Sequence, residues 1–253
     1  FLATDALPGC AYGFQCFPMH RDLTHYLPTY IWVYRLFAFA PGQRFPDRRL
    51  HFSPIPTSIP RQAFIHTTLR IQHLGNLTPE RRLARFEKYR QADPDCQYWP
   101  DYSSLLHAPD ESTLQIWQPR EPGTPVLLPA SIANEPAPAA PLTDDGRAAP
   151  ALSVVVLATS GQDPSSTLTS VTAQRCPEPV EIIVVVRSGT PSHADVRQHW
   201  PTVRIVEVSD SVTESAARNA GLHAAFGRYI MFLTPDMVLH PGTLLALLAP
   251  TTV

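Results

Sequence analysis

Four short apolar runs, separated by helix-start signals, constrain the fold of this chain more than any other feature. They are Leu152-Ser153-Val154-Val155-Val156-Leu157, Glu181-Ile182-Ile183-Val184-Val185-Val186, Val203-Arg204-Ile205-Val206-Glu207-Val208 and Tyr229-Ile230-Met231-Phe232-Leu233. Runs of this length and β-branched content suit strands buried on both faces. Asp163-Pro164 offers a cap followed by proline at the first helical position, predicting a helix to about Gln174. Thr190-Pro191 repeats the signal for a helix reaching Trp200, and Ser211-Val212-Thr213-Glu214 has capping-box spacing. Gly227 is expected to stop that third helix in a left-handed conformation. The order β-α-β-α-β-α-β requires right-handed crossovers and an α/β architecture, a parallel sheet covered by helices. Ligands of such sheets sit beyond the carboxyl ends of the strands, where segments 158–163, 187–190, 209–213 and 234–236 converge. Ala216, Ala220 and Ala224 form a small-residue stripe on the third helix, read either as close approach to a ligand or as tight packing on the sheet.

A proline-rich segment sets this pattern apart from the rest. Pro119 to Pro150 carries eight prolines in 32 residues and no periodicity, the composition of a semi-extended tether. It divides the 253 residues into an aromatic-rich piece, 1–118, and the patterned piece, 151–253. With 44% apolar residues the chain has material for a packed core, and its formal charge of −2 supplies no global field for nucleic acid. The longest apolar stretches, Tyr30 to Ala40 (broken by Arg35) and Ile182 to Val186, fall far short of the ~20 residues that span a bilayer. Cys10, Cys16, Cys96 and Cys176 form no Cys-x-x-Cys pair and read as reduced thiols of a cytoplasmic protein, with any membrane association left to segments outside this chain. Phe1-Leu2 opens in mid-pattern, so the chain is expected to be a piece of a longer one.

Ser215-Ala216-Ala217-Arg218-Asn219-Ala220-Gly221-Leu222, followed by Gly227-Arg228-Tyr229-Ile230 and by Thr234-Pro235-Asp236, is the distinctive stretch. It resembles the family-2 glycosyltransferases, whose GT-A domains carry an Ala-Arg-Asn-x-Gly-Leu helix, a Gly-x-Tyr-Ile strand and an Asp-x-Asp metal motif. The runs beginning at Ser153 and Glu181 look like that family's first two strands, so the likeness covers Leu152 to Leu245. It implies a GT-A, Rossmann-like half that binds a nucleoside-diphosphate sugar, with Mn²⁺ or Mg²⁺ at the departing diphosphate. Asp236 matches the last acid of the motif and would face the metal. Thr159, Arg187, Arg218, Asn219 and Thr234 would lie near the nucleotide-sugar. Two positions depart from the pattern: Thr234 replaces the first acid, and Val186-Arg187 stands where an acidic pair is usual.

The N-terminal piece carries a looser likeness to the mixed α+β, acceptor-side half of the same enzymes. Phe1-Leu2-Ala3-Thr4-Asp5 parallels Phe232 to Asp236, and Tyr34-Arg35-Leu36-Phe37, Leu50-His51-Phe52 and Ile71-Gln72-His73-Leu74-Gly75 follow in that half's order. By this resemblance Asp5 and His73 would be metal ligands, and His51 would line the acceptor pocket. Asp22 is the nearest candidate for a base, although no residue stands out in that role. Thr78-Pro79-Glu80 starts a helix with Leu83, Phe86 and Tyr89 as its buried stripe and a basic outer face. Tyr98, Trp99 and Tyr102 suit either sugar stacking or packing.

The resemblance therefore implies a fragment spanning two tandem GT-A domains that transfers a sugar to a glycan, lipid or protein acceptor. A non-catalytic module that binds a nucleotide-sugar or a partner is the rival, favoured by the departures at Thr234 and Arg187. A third reading docks both pieces as one permuted unit, in which either Asp5 or Asp236, but not both, meets His73.

Overall fold

The apolar runs of the C-terminal piece become strands, and those strands continue into the N-terminal piece. A computed structural model describes residues 6–46, 54–118, 149–159, 161–189 and 191–248, without the side chains of 191–193. Its elements are β1 (Ala11–Pro18), β2 (His25–Tyr26), β3 (Ile31–Ala38), β4 (Phe64–His73), α1 (Pro79–Ala92) and β5 (Gln115–Ile116), then β6 (Leu152–Ala158), α2 (Ser165–Thr172), β7 (Val180–Arg187), α3 (Pro191–His199), β8 (Arg204–Val208), α4 (Glu214–Ala224), β9 (Tyr229–Leu233), β10 (Met237–Leu239) and α5 (Thr243–Leu248). Eight strands form one sheet in the order β10-β4-β1-β3-β9-β6-β7-β8, and β2 pairs with β5 beside it. The pairs β9-β6, β6-β7, β7-β8 and β1-β4 are parallel, whereas β3 and β10 run against their neighbours. This mixed α/β fold with a large, mostly parallel sheet fits a GT-A-like architecture.

The two pieces meet at β3 and β9, where Leu36, Phe37 and Ala38 pair with Met231, Ile230 and Tyr229. Phe45 packs edge-on against Phe232 at 5.1 Å, and the Tyr229 hydroxyl donates to the Ala6 carbonyl at 3.1 Å. The main apolar core runs from Ala6 through β6, β7 and β9 to Leu248, and a smaller cluster of Phe17, Met19, Leu74 and Trp117 lies apart from it. Strand β6 is buried along its whole length, which explains why its sequence is apolar without alternation.

Several local expectations change. The cap of α4 is Thr213, whose hydroxyl accepts from the Ala216 N–H, rather than Ser211. Gly227 does not take a left-handed conformation, and α4 ends on an extended Ala225. Gly227 serves close approach instead: a Cβ there would lie 2.5 Å from the Ser153 nitrogen. The sheet-facing side of α4 holds Ala217 and Gly221, while Ala216 of the predicted stripe is exposed. On α1 Leu83 is 48% exposed, because Arg82 and Arg85 turn inward to the Asn76 carbonyl and side chain. Tyr102 is buried, donating to Asp93 and stacking on Tyr89, whereas Tyr98 and Trp99 remain exposed. All four cysteines are free thiols. No helix among the described residues is long and apolar enough to cross a membrane.

Candidate functional site

The carboxyl ends of β1, β4, β6, β7 and β9 all point to one edge of the sheet. Beyond β9 the chain turns through Thr234–Asp236 and enters β10, which pairs with β4 so that Met237 opposes His73. Helix α2 fixes this path. Thr167, fully buried, donates its hydroxyl to the carbonyls of Met237 (2.7 Å) and Thr234 (3.2 Å), and Ser170 Oγ accepts from the Leu239 N–H at 3.1 Å. Gln174 adds a bond to the His240 carbonyl. The turn is thereby tied down by two side chains of one face of α2 and by Gln174 just past its end.

At this turn the two pieces contribute one residue each. His73 Nε2 lies 3.1 Å from Asp236 Oδ2, with both side chains largely buried. His73 Nδ1 accepts the Gly75 N–H at 3.3 Å, which leaves Nε2 to present its proton to the carboxylate. The Thr234 hydroxyl donates to Asp236 Oδ1. Burial pushes the Asp236 carboxyl up, but His73, the Thr234 hydrogen bond and the charge of Lys88 outweigh it and hold the group well below the usual carboxylate range. Gly75 leaves room for the pair, since a Cβ there would sit 2.6 Å from His73 Cε1 and 3.2 Å from Asp236 Oδ2.

A charged cluster continues across α4. Arg218, buried, donates to Glu214, which also lies 3.6 Å from Lys88 of α1. Burial raises the Glu214 carboxyl, yet Arg218 and Lys88 prevail and keep it below its ordinary range. Asn219 Oδ1 accepts from the Phe45 N–H at 3.1 Å, and Ser215 Oγ donates to the Pro46 carbonyl at 2.8 Å. Asn219, read from the sequence as a nucleotide-side residue, thus latches one piece to the other. Arg187 donates to the carbonyls of Thr159 (2.7 Å) and Val212 (3.3 Å), bridging the loops after β6 and before α4. Lys88 acts on both Asp236, held by His73 and Thr234, and Glu214, held by Arg218, while Arg187 braces the loop after β6 through the Thr159 carbonyl. Asp5 and His51 lie outside the described residues.

Asp22 sits in the turn after β1, where it accepts from the Thr24 N–H and hydroxyl and from His25 Nδ1 at 2.8 Å. The His25 and Thr24 bonds hold its carboxyl well below the usual range, so it is a poor proton acceptor in this arrangement. Among the described residues no three His, Cys, Asp or Glu side chains gather as a metal-ligand set.

Sequence reasoning did not single out Thr167, Ser170 or Gln174. The hydroxyls of Thr167 and Ser170, three residues apart on α2, were the available signal, since buried polar groups need partners.

Residues 165–251 match the family model of glycosyl transferase family 2. The matched segment is about one third of the chain and runs from α2 through the turn that carries Asp236. It supports a family-2 glycosyltransferase. No curated protein matches the chain.

Proposed function

We propose that this chain is a glycosyltransferase that takes a nucleoside-diphosphate sugar at the carboxyl edge of its sheet and moves the sugar to a glycan, lipid or protein acceptor. The observation that carries the reading is the meeting of His73 with Asp236, which lies just beyond β9 within the family-2 match. Residues 1–118 supply the acceptor-side half and residues 151–253 the nucleotide-binding half of one permuted GT-A unit; the shared sheet and the meeting of Asp236 with His73 support this reading over two tandem domains. Free thiols suit a cytoplasmic setting.

A divalent cation fits this pair. An imidazole nitrogen and a carboxylate oxygen 3.1 Å apart are an acceptable donor set for Mn²⁺, and such ions take few protein ligands beside substrate phosphate. The bound cation would neutralise charge on the departing diphosphate. His73 would exchange its Nε2 proton for the metal, and the Gly75 N–H at Nδ1 would keep the ring oriented. Thr234 orients the Asp236 carboxylate, Arg218 balances Glu214, and Arg187, Thr159 and Asn219 shape the nucleotide side by holding its loops.

A second reading is favoured by Thr234 and Arg187, which remove acid from the pocket: a module that binds a nucleotide-sugar without turning it over. Incubation of the full chain with UDP-, GDP- and dTDP-sugars separates the two. Mn²⁺-dependent release of nucleoside diphosphate, abolished by Asp236→Ala, is expected of the enzyme. Ligand-induced thermal stabilisation without release would establish the binding module, and no response to any donor would overturn both.

A further inference from the structure

The sheet is continuous at its base and split at its working edge. Strand β3 pairs with β9 only over Leu36–Ala38. Towards the carboxyl edge β3 stays with β1, whereas Phe232 and Leu233 of β9 stay with Val155 and Val156 of β6. The strands part at Arg35. In the same place the β1-β3 register steps from Tyr12↔Leu36 to Gly13↔Tyr34, leaving Arg35 as the extra residue of a β-bulge. Bulges of this kind re-aim one side chain. The segment leaving β9 must then pass across this gap to reach β10 on the far side of β1, carrying Asp236 over it.

Arg35 has unmet bonding capacity there. Among the described residues it makes no hydrogen bond or ion pair, and its Nε is buried without a partner. The Arg218 guanidinium also faces it, and the two carboxylates nearby are already engaged with others: Asp236 with His73 and Thr234, Glu214 with Arg218 and Lys88. A guanidinium presents a rigid fork that matches two phosphate oxygens.

From the bulge, the parted strands and the unpartnered Nε together, we propose that Arg35 grips the diphosphate of the donor, an assignment that rests on the glycosyltransferase reading above. In the transfer, the bond between the anomeric carbon and the phosphate oxygen breaks and its electron pair stays on the diphosphate. The acceptor oxygen bonds to that carbon and releases its proton to solvent. Arg35 is a fixed cation beside the oxygen that gains charge, where preorganised donors act most strongly.

The test is titration calorimetry of the full chain with UDP, GDP and dTDP, each beside its bare nucleoside. For the diphosphate that binds, Arg35→Met is expected to weaken affinity about 10- to 100-fold, the worth of a charge-assisted bond, with nucleoside affinity unchanged. Arg35→Lys keeps a cation but loses the fork, so about a 10-fold loss is expected; it carries the test alone if the methionine variant does not fold. Wild-type affinity in either variant, or equal loss for nucleoside and diphosphate, overturns the assignment and leaves the glycosyltransferase reading intact. Failure of the wild type to bind any of the three diphosphates overturns both.

Discussion

Helix α4 carries Glu214, Arg218 and Asn219, and Gly221 sets how closely that helix lies on the sheet. A Cβ at Gly221 would stand 2.6 Å from Val155 Cγ1 and 3.0 Å from Val185 Cγ2. Both valines are fully buried in central strands and have nowhere to retreat. Gly221 lies in an ordinary helical conformation, so alanine brings no backbone strain and gains about 1 kcal/mol of helix propensity. Against that gain stands an overpacking cost of about 1–3 kcal/mol. At these distances the upper end applies, giving a net loss of about 2 kcal/mol for Gly221→Ala. Urea denaturation with an unchanged m-value measures it. Val155→Ala removes the nearer methyl, so the Val155→Ala/Gly221→Ala pair is expected to be non-additive by about 1 kcal/mol or more, the double variant recovering part of the loss. A Gly221→Ala protein more stable than wild type, or strict additivity with Val155→Ala, would refute the packing of α4 against β6 and β7.

Three further outcomes follow from the contacts. Arg187→Ala removes the bonds to the Thr159 and Val212 carbonyls and is expected to cost about 1–3 kcal/mol in urea denaturation; a change within about 0.5 kcal/mol would deny Arg187 its bracing role. Asn219→Ala leaves the Phe45 N–H without its acceptor, and after a small propensity gain the net loss should be about 1 kcal/mol, read by the same denaturation. The Tyr102 hydroxyl, pushed up to about 12 by burial and by donation to Asp93, stabilises the fold fully below its unfolded pKa of about 10. Stability should therefore fall between about pH 10 and 12, and Tyr102→Phe should flatten that limb of the stability curve; an identical alkaline profile in the variant contradicts the bond.

The legibility of this chain follows the kind of force at each position. Strands β6, β7 and β9 were readable to within a residue or two, because burial on both faces forces continuous apolar runs that nothing else in the sequence imitates. The helix start at Thr78 was likewise readable, since a cap needs only one local side chain, whereas the box read at Ser211 pointed two residues before the Thr213 cap of α4. The inward turn of Arg82 on α1 was not, because an arginine reads as solvent-facing until a carbonyl such as that of Asn76 is brought to it by the fold. Gly227 illustrates the same limit: glycine answers equally to a left-handed turn and to close backbone approach, and only the position of Ser153 decides. Asp236 and His73 were legible as chemistry, but their meeting depends on β10 crossing to β4, a long-range pairing that no local pattern encodes. The bulge at Arg35 arises from register between β1 and β3 and had no signature in the run Tyr34 to Phe37.

The central claim is that one residue from each piece builds a single donor site. Its most direct test is the Mn²⁺-dependent rise in melting temperature produced by a nucleotide-sugar, measured in wild type, His73→Ala, Asp236→Ala and the double variant. Either single substitution is expected to remove nearly all of the rise, and the double to remove no more. A full response in His73→Ala, or losses that simply add, would contradict the claim.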